Sequence, residues 1–288
     1  VWRIIPGIRR KDRTRGYAMS LRLCRSEQVK NPYYVGFLGI HVYSVQEMAY
    51  VIYHYPLLVM DRLVDERLLD FLREELNLGF LALKLENWKK SGEDPDEMLV
   101  LLLQESDYYS QGEIAEYKQT LAAYRKQKPE EMKKLCADAV FGMRQYGKAA
   151  RLYREILEES GETQADRMFT ARVWNNLGAC YGRMFLFDKA YDAFEKAYNR
   201  SGSRECLRSL YWIEKLDSRI VLGERFRAAV TEAEKADWDA AFLGAQEQAW
   251  QSELVKQVED WFREGTADGE KAAAELIETW KSEYRAMV

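Results

Sequence analysis

The chain has 288 residues, 47% hydrophobic and 31% charged, with only five prolines and seventeen glycines. That is enough chain to bury a core without disulfides or metals, and too few turn residues for a strand-rich fold. The net charge of −4 is uneven: residues 1–18 hold six basic side chains against Asp12, a balance of +5 that leaves −9 for the remainder. An acidic body argues against general nucleic-acid binding, which needs a basic face for phosphates.

The basic start, VWRIIPGIRRKDRTRGYA, has three readings: a nucleic-acid or membrane-surface arm, a disordered tail, or a stretch ahead of an actual start at Met19. Charge runs are usually solvated, so a tail over residues 1–18 is the expectation. It has no apolar core of the length a secretory signal needs, and nowhere do eighteen apolar residues run together. These features set the expectation of a cytoplasmic chain without a membrane partner. Cys24, Cys136, Cys180 and Cys206 are scattered and form no C-x-x-C pair, so reduced thiols in the core are expected.

Residues 19–128 read as a helical N-terminal domain. The stretch 30–43 is the one with strand character, with Val35, Phe37, Ile40, Val42 and Tyr43 between glycines. A lone hairpin is marginal, so irregular chain covering the helices is expected there. Ser44 and Glu47 have capping-box spacing and open a stripe of Met48, Val51, Ile52 and Tyr55, which Pro56 ends or kinks. A second helix runs from Asp61 through Leu63, Leu68, Leu69, Leu72 and Leu76, with a stop at Asn77 and Gly79. A third carries Phe80, Leu83 and Trp88. Asp94-Pro95-Asp96-Glu97 combines an N-cap, a proline at the first helical position and first-turn acids. Ser110 and Glu113 form another capping box ahead of Ile114, Tyr117, Leu121 and Tyr124.

Residues 129–216 contain a repeat. Trp174, Leu177, Gly178 and Tyr181 follow the pattern W-x2-L-G-x2-Y, and Ala190 and Phe194 supply A-x3-F, with Ala197 three residues on. A segment of this form resembles a tetratricopeptide repeat, a helix pair recurring about every 34 residues. Gly178 and Ala190 let the two helices approach, while the large side chains fill the space between them. A second copy lies upstream: Tyr146, Lys148, Ala149, Tyr153 and Ile156 correspond to Phe187, Lys189, Ala190, Phe194 and Ala197. Cys136, Ala137 and Val140 take the Leu, Gly and Tyr places. The repeats thus cover about 130–163 and 171–204, and some seven extra residues near 161–170 are expected to lengthen the second helix of the first unit or its turn. A degenerate third unit begins near Glu205, with Leu207, Leu210, Tyr211 and Ile213.

Residues 217–288 read as long capping or coiled-coil helices. Apolar residues keep a helical period from Phe226 to Trp261 with no proline. One helix over 220–262 would span about 65 Å, so it either breaks near Asp237-Trp238-Asp239 or leaves the body as a coiled coil. Thr266 to Gly269 ends it, and a last helix carries Ala272, Leu276, Trp280 and Tyr284. That helix folds back within the chain or forms a dimer seam.

The fold expected is all-α: a helical N-terminal domain, a short tetratricopeptide-type solenoid, then long C-terminal helices. No phosphate-binding loop, dinucleotide fingerprint, nucleophile elbow or H-E-x-x-H is present. His41 and His54 stand in separate elements. No catalytic residue, cofactor or metal is assigned, and an enzyme is not expected. The resemblance implies a groove at Lys134, Asp138, Arg172, Asn175, Asn176 and Arg183, where a protein or peptide partner would lie. The family's carboxylate clamp is only half matched: Lys134 and Asn176 fit, Asp138 replaces an Asn, and Cys206 and Leu210 stand where Lys and Arg are needed. Two functions follow, an interaction scaffold or adaptor, and alternatively a regulator that binds nucleic acid through the basic start and a peptide through the repeats.

Overall fold

The computed structural model describes residues 29–92, 94–159, 164–264 and 267–288. The basic start, Cys24 and the stop at Thr266 lie outside them. The chain is all-α apart from one hairpin, with fifteen helices among the described residues.

The hairpin is the first departure from expectation. β1 (Tyr33–Val35) pairs antiparallel with β2 (Ile40–Val42), Tyr33 opposite Val42. Gly39, at φ +70°, supplies the left-handed turn residue. The hairpin is not alone. Tyr33, Val35 and Val42 are buried against the helices, and the Gln145 amide donates to the Leu38 carbonyl at 2.9 Å. Tertiary burial supplies the stability that an isolated hairpin lacks.

Six helices follow, α1 (Val45–His54), α2 (Pro56–Val59), α3 (Glu66–Asp70), α4 (Gly79–Ser91), α5 (Pro95–Glu105) and α6 (Gln111–Arg125). The Ser44 hydroxyl accepts the Glu47 N–H, but the Glu47 carboxylate reaches Tyr43 N–H, one residue earlier than a capping box. Pro56 starts α2 at its first position. α3 begins at Asp65, whose side chain caps Leu68, and runs on through a π turn over Phe71–Glu75 before Asn77 ends it at φ +54°. Asp94 caps α5 ahead of Pro95, and Ser110 with Glu113 closes the capping box of α6.

α7 (Pro129–Gly142) and α8 (Tyr146–Glu159) form one antiparallel hairpin, and α9 (Gln164–Arg183) and α10 (Phe187–Ser201) a second. Lys133 pairs with Glu159 and Asp138 with Tyr153 in the first. In the second, the Lys196 ammonium lies 4.5 Å from the Trp174 ring centre. The two turns share one geometry, offset by 41 residues. Met143, Arg144 and Gln145 donate N–H groups to Ala139, Phe141 and Val140, as Met184, Phe185 and Leu186 do to Cys180, Gly182 and Tyr181. Arg144 and Phe185 are both left-handed, at φ 62° and 59°. The offset is that of the sequence correspondence. The described extra residues, 164–170, fall within the expected stretch but belong to α9 rather than α8: α8 and α10 have 14 and 15 residues, whereas α9 has 20 against 14 for α7. They lengthen the start of α9.

α11 (Arg204–Leu216) continues the stack, followed by α12 (Glu224–Ala229), α13 (Glu232–Trp250), α14 (Glu253–Glu264) and α15 (Ala267–Met287). Arg204 meets Glu234, Trp212 donates to the Trp238 carbonyl, and Lys215 meets Asp239. α13 therefore runs in the same direction along α11, unlike the second helices of the two hairpins. Of the two alternatives for this stretch, the break near Asp237–Asp239 does not occur: Trp238 is buried mid-helix against Tyr211. Breaks fall at Val230, which is extended ahead of a Thr231–Glu234 capping box, and at Gln251–Ser252. One apolar cluster joins β1 to α10, and a second joins α10, α11, α12 and Trp238.

Candidate functional site

The stacking turns one face of α7, α9 and α11 into adjacent rows. Large side chains at Leu177, Tyr153 and Phe194 point inward, 1–6% exposed. The polar residues between them fall along the seams, because residues three and four apart share a helix face.

Three of the six expected groove residues form one network. Lys134 pairs with Asp138 one turn on, at 2.7 Å. The other carboxylate oxygen of Asp138 accepts from the Tyr153 hydroxyl at 2.5 Å and from the Asn176 amide at 2.9 Å. Lys134 and Asp138 side chains are 14% and 34% exposed, so the network closes the α7–α8–α9 seam and remains open to solvent on one edge. Burial, followed by the bond to Asp138, pushes the Tyr153 phenol well above its ordinary pKa, so it stays a donor. Burial and the same carboxylate push the neighbouring Cys180 thiol up to about 12.

The other three residues differ. Arg172 is exposed, pairs with Glu131 across the seam at 3.0 Å and lies 5.8 Å from the Phe169 ring centre. Asn175 accepts a weak bond from the Cys206 thiol at 3.4 Å, tying α9 to α11. Arg183 stands apart at the end of α9, exposed and without an ion pair among the described residues. The structure thus joins Lys134, Asp138 and Asn176, and sets Arg172, Asn175 and Arg183 along the same helix.

Sequence reasoning missed Tyr153 and Glu131 as partners. Tyr153 was legible in principle: it stands where the second copy has Phe194, and a buried hydroxyl requires an acceptor. Glu131 carried no such mark.

Chemically the face offers fixed hydrogen-bond groups and cations. The three described thiols, Cys136, Cys180 and Cys206, are free and raised in pKa by burial, which keeps them protonated and weakly nucleophilic. Among the described residues no group of three or more His, Cys, Asp or Glu side chains is placed to hold a metal ion. No described helix is long and apolar enough to cross a membrane. A shallow cavity of about 360 Å³ between β1 and the π turn contains none of the six residues.

The fold and face define an all-α chain of stacked helical hairpins with a polar seam. Comparison with protein-family models, curated proteins and solved structures finds no match.

Proposed function

We propose that the chain is a non-catalytic protein-interaction scaffold of tetratricopeptide type, acting in the cytoplasm and holding a peptide or helix on the α7–α9–α11 face. The observation that carries this reading is the recurrence of one helix–turn–helix geometry at a 41-residue offset. Its large residues are turned inward, and Arg172, Asn175 and Arg183 are left on the outer seam. Stacked hairpins of this kind present extended surfaces for partners. The Lys134–Asp138 pairing redirects the groove: the Lys134 side chain is 14% exposed and held by Asp138, whereas Arg172 is 58% exposed and shares Glu131 only in a surface pair, so Arg183 and Arg172 are the cations that meet an acidic or extended peptide.

The test is comparative capture from the native cell. Arg172→Glu with Arg183→Glu is expected to abolish partner recovery while leaving thermal stability within a few degrees, since an exposed pair such as Arg172–Glu131 contributes only about 0–1 kcal/mol. Undiminished recovery removes the groove assignment. A homodimer through the C-terminal helices belongs to the same proposal, supported by Leu254, Phe262, Ile277 and Trp280 being 40–74% exposed. Sedimentation equilibrium over a range of concentrations tests it.

A further inference from the structure

α15 is a long helix with its outer face in solvent, Ile277 and Trp280 being 47% and 48% exposed. Its docking contacts on the helical hairpins gather in its last turn. The Tyr284 hydroxyl donates to the Met184 carbonyl at 3.2 Å. Met287 packs on the main apolar cluster. Val288 lies against Gly147, so closely that a Cβ on the glycine would sit 1.9 Å from the Val288 carbonyl oxygen and 2.9 Å from its Cα. Those are backbone atoms, so a side chain at 147 requires the last residue itself to shift.

The φ of Gly147 is not left-handed. It sits in the first turn of α8, where glycine is among the poorest helix formers. The equivalent place in the second hairpin, 41 residues on, holds Asp188 in the same turn geometry. The repeated unit therefore tolerates a side chain there, and the seated α15 is what excludes one.

We infer that the last turn of α15 is a latch that holds the C-terminal helices on the hairpins, seated on the first turn of α8 and the end of α9. Gly147 is its seat. The seat borders the β-hairpin loop, since Lys148 and Gln145 bond the Gly36 and Leu38 carbonyls beside it. It also abuts Met184, one residue past Arg183.

Hydrogen exchange on the full chain tests the latch without any partner, so its failure is separate from failure of the groove. Gly147→Leu places a side chain in the seat, and Tyr284→Ala with Met287→Ser removes the contacts from the other side while leaving α8 untouched. Both are expected to raise exchange over residues 267–288 roughly tenfold or more, with 187–216 at wild-type rates. Asp188→Leu, the matched control, is expected to leave 267–288 unchanged. Wild-type exchange over 267–288 in the Tyr284→Ala/Met287→Ser variant overturns the inference, as does an equal rise in the Asp188→Leu control.

Discussion

Gly178 and Phe194 are in such close contact that a Cβ on the glycine would lie 2.7 Å from the ring. The contact sets the approach of α9 to α10. Gly178→Ala is expected to destabilise the chain by about 1–3 kcal/mol through overpacking, and Phe194→Leu in the same chain to recover part of the loss. Gly182, four residues on, has open space around it, so Gly182→Ala is expected to stabilise by about 0.5–1 kcal/mol. Urea unfolding of the three variants checks the contrast.

The Asp138 network should behave as a unit. Removing the shared acceptor by Asp138→Ala leaves the Tyr153 hydroxyl and Lys134 without it, an expected loss of about 1.5–3 kcal/mol for bonds to a charged group. Tyr153→Phe should lose about 1 kcal/mol. A double-mutant cycle reads their coupling: the double variant is expected to lose less than the sum of the two singles, because both singles break the same bond. Additive effects would show that the bond contributes nothing.

Acid should loosen the junction of α11 and α13. Glu234 accepts from the Arg204 guanidinium, then from the Thr231 hydroxyl and N–H, and these bonds lower its pKa from 4.5 to about 2. A carboxylate with a depressed folded-state pKa stabilises above the unfolded value and loses that contribution as pH falls through the folded one. Thermal melts from pH 5 to about pH 2 should therefore fall more steeply for wild type than for Glu234→Gln. Parallel curves would rule out this pair as an acid-sensitive contact.

Phe185 turns the second hairpin at φ 59° with 72% of its surface exposed. A left-handed non-glycine residue costs about 1–2 kcal/mol, part of which glycine returns through the unfolded chain. Phe185→Gly is thus expected to stabilise by about 0.5–1 kcal/mol, seen as a higher melting temperature. A lower one would mean that the exposed ring makes contacts worth more than the strain.

The helices with local signals were legible: Asp94-Pro95 and Ser110–Glu113 cap where their spacing says they should. Elements decided by distant contacts were not. The β hairpin depends on Gln145, more than a hundred residues away. The π turn after α3 has no marker in the sequence. The break before α13 was readable at Thr231-Glu-Ala-Glu234, a capping box, but the aspartates around Trp238 look more like a boundary until the burial of that indole is seen. At the candidate site the six positions fall on adjacent seams, yet only the structure shows that Asp138 holds Lys134 and Asn176 and that Arg183 has no ion pair among the described residues.

The central claim is that a partner lies on the α7–α9–α11 face. Hydrogen exchange of the chain, alone and bound to a partner captured from its native cell, tests it most directly. Added protection is expected over residues 131–138 and 168–183, extending into α11. Protection confined to α4, α5 or the β hairpin, with those segments unchanged, would contradict it.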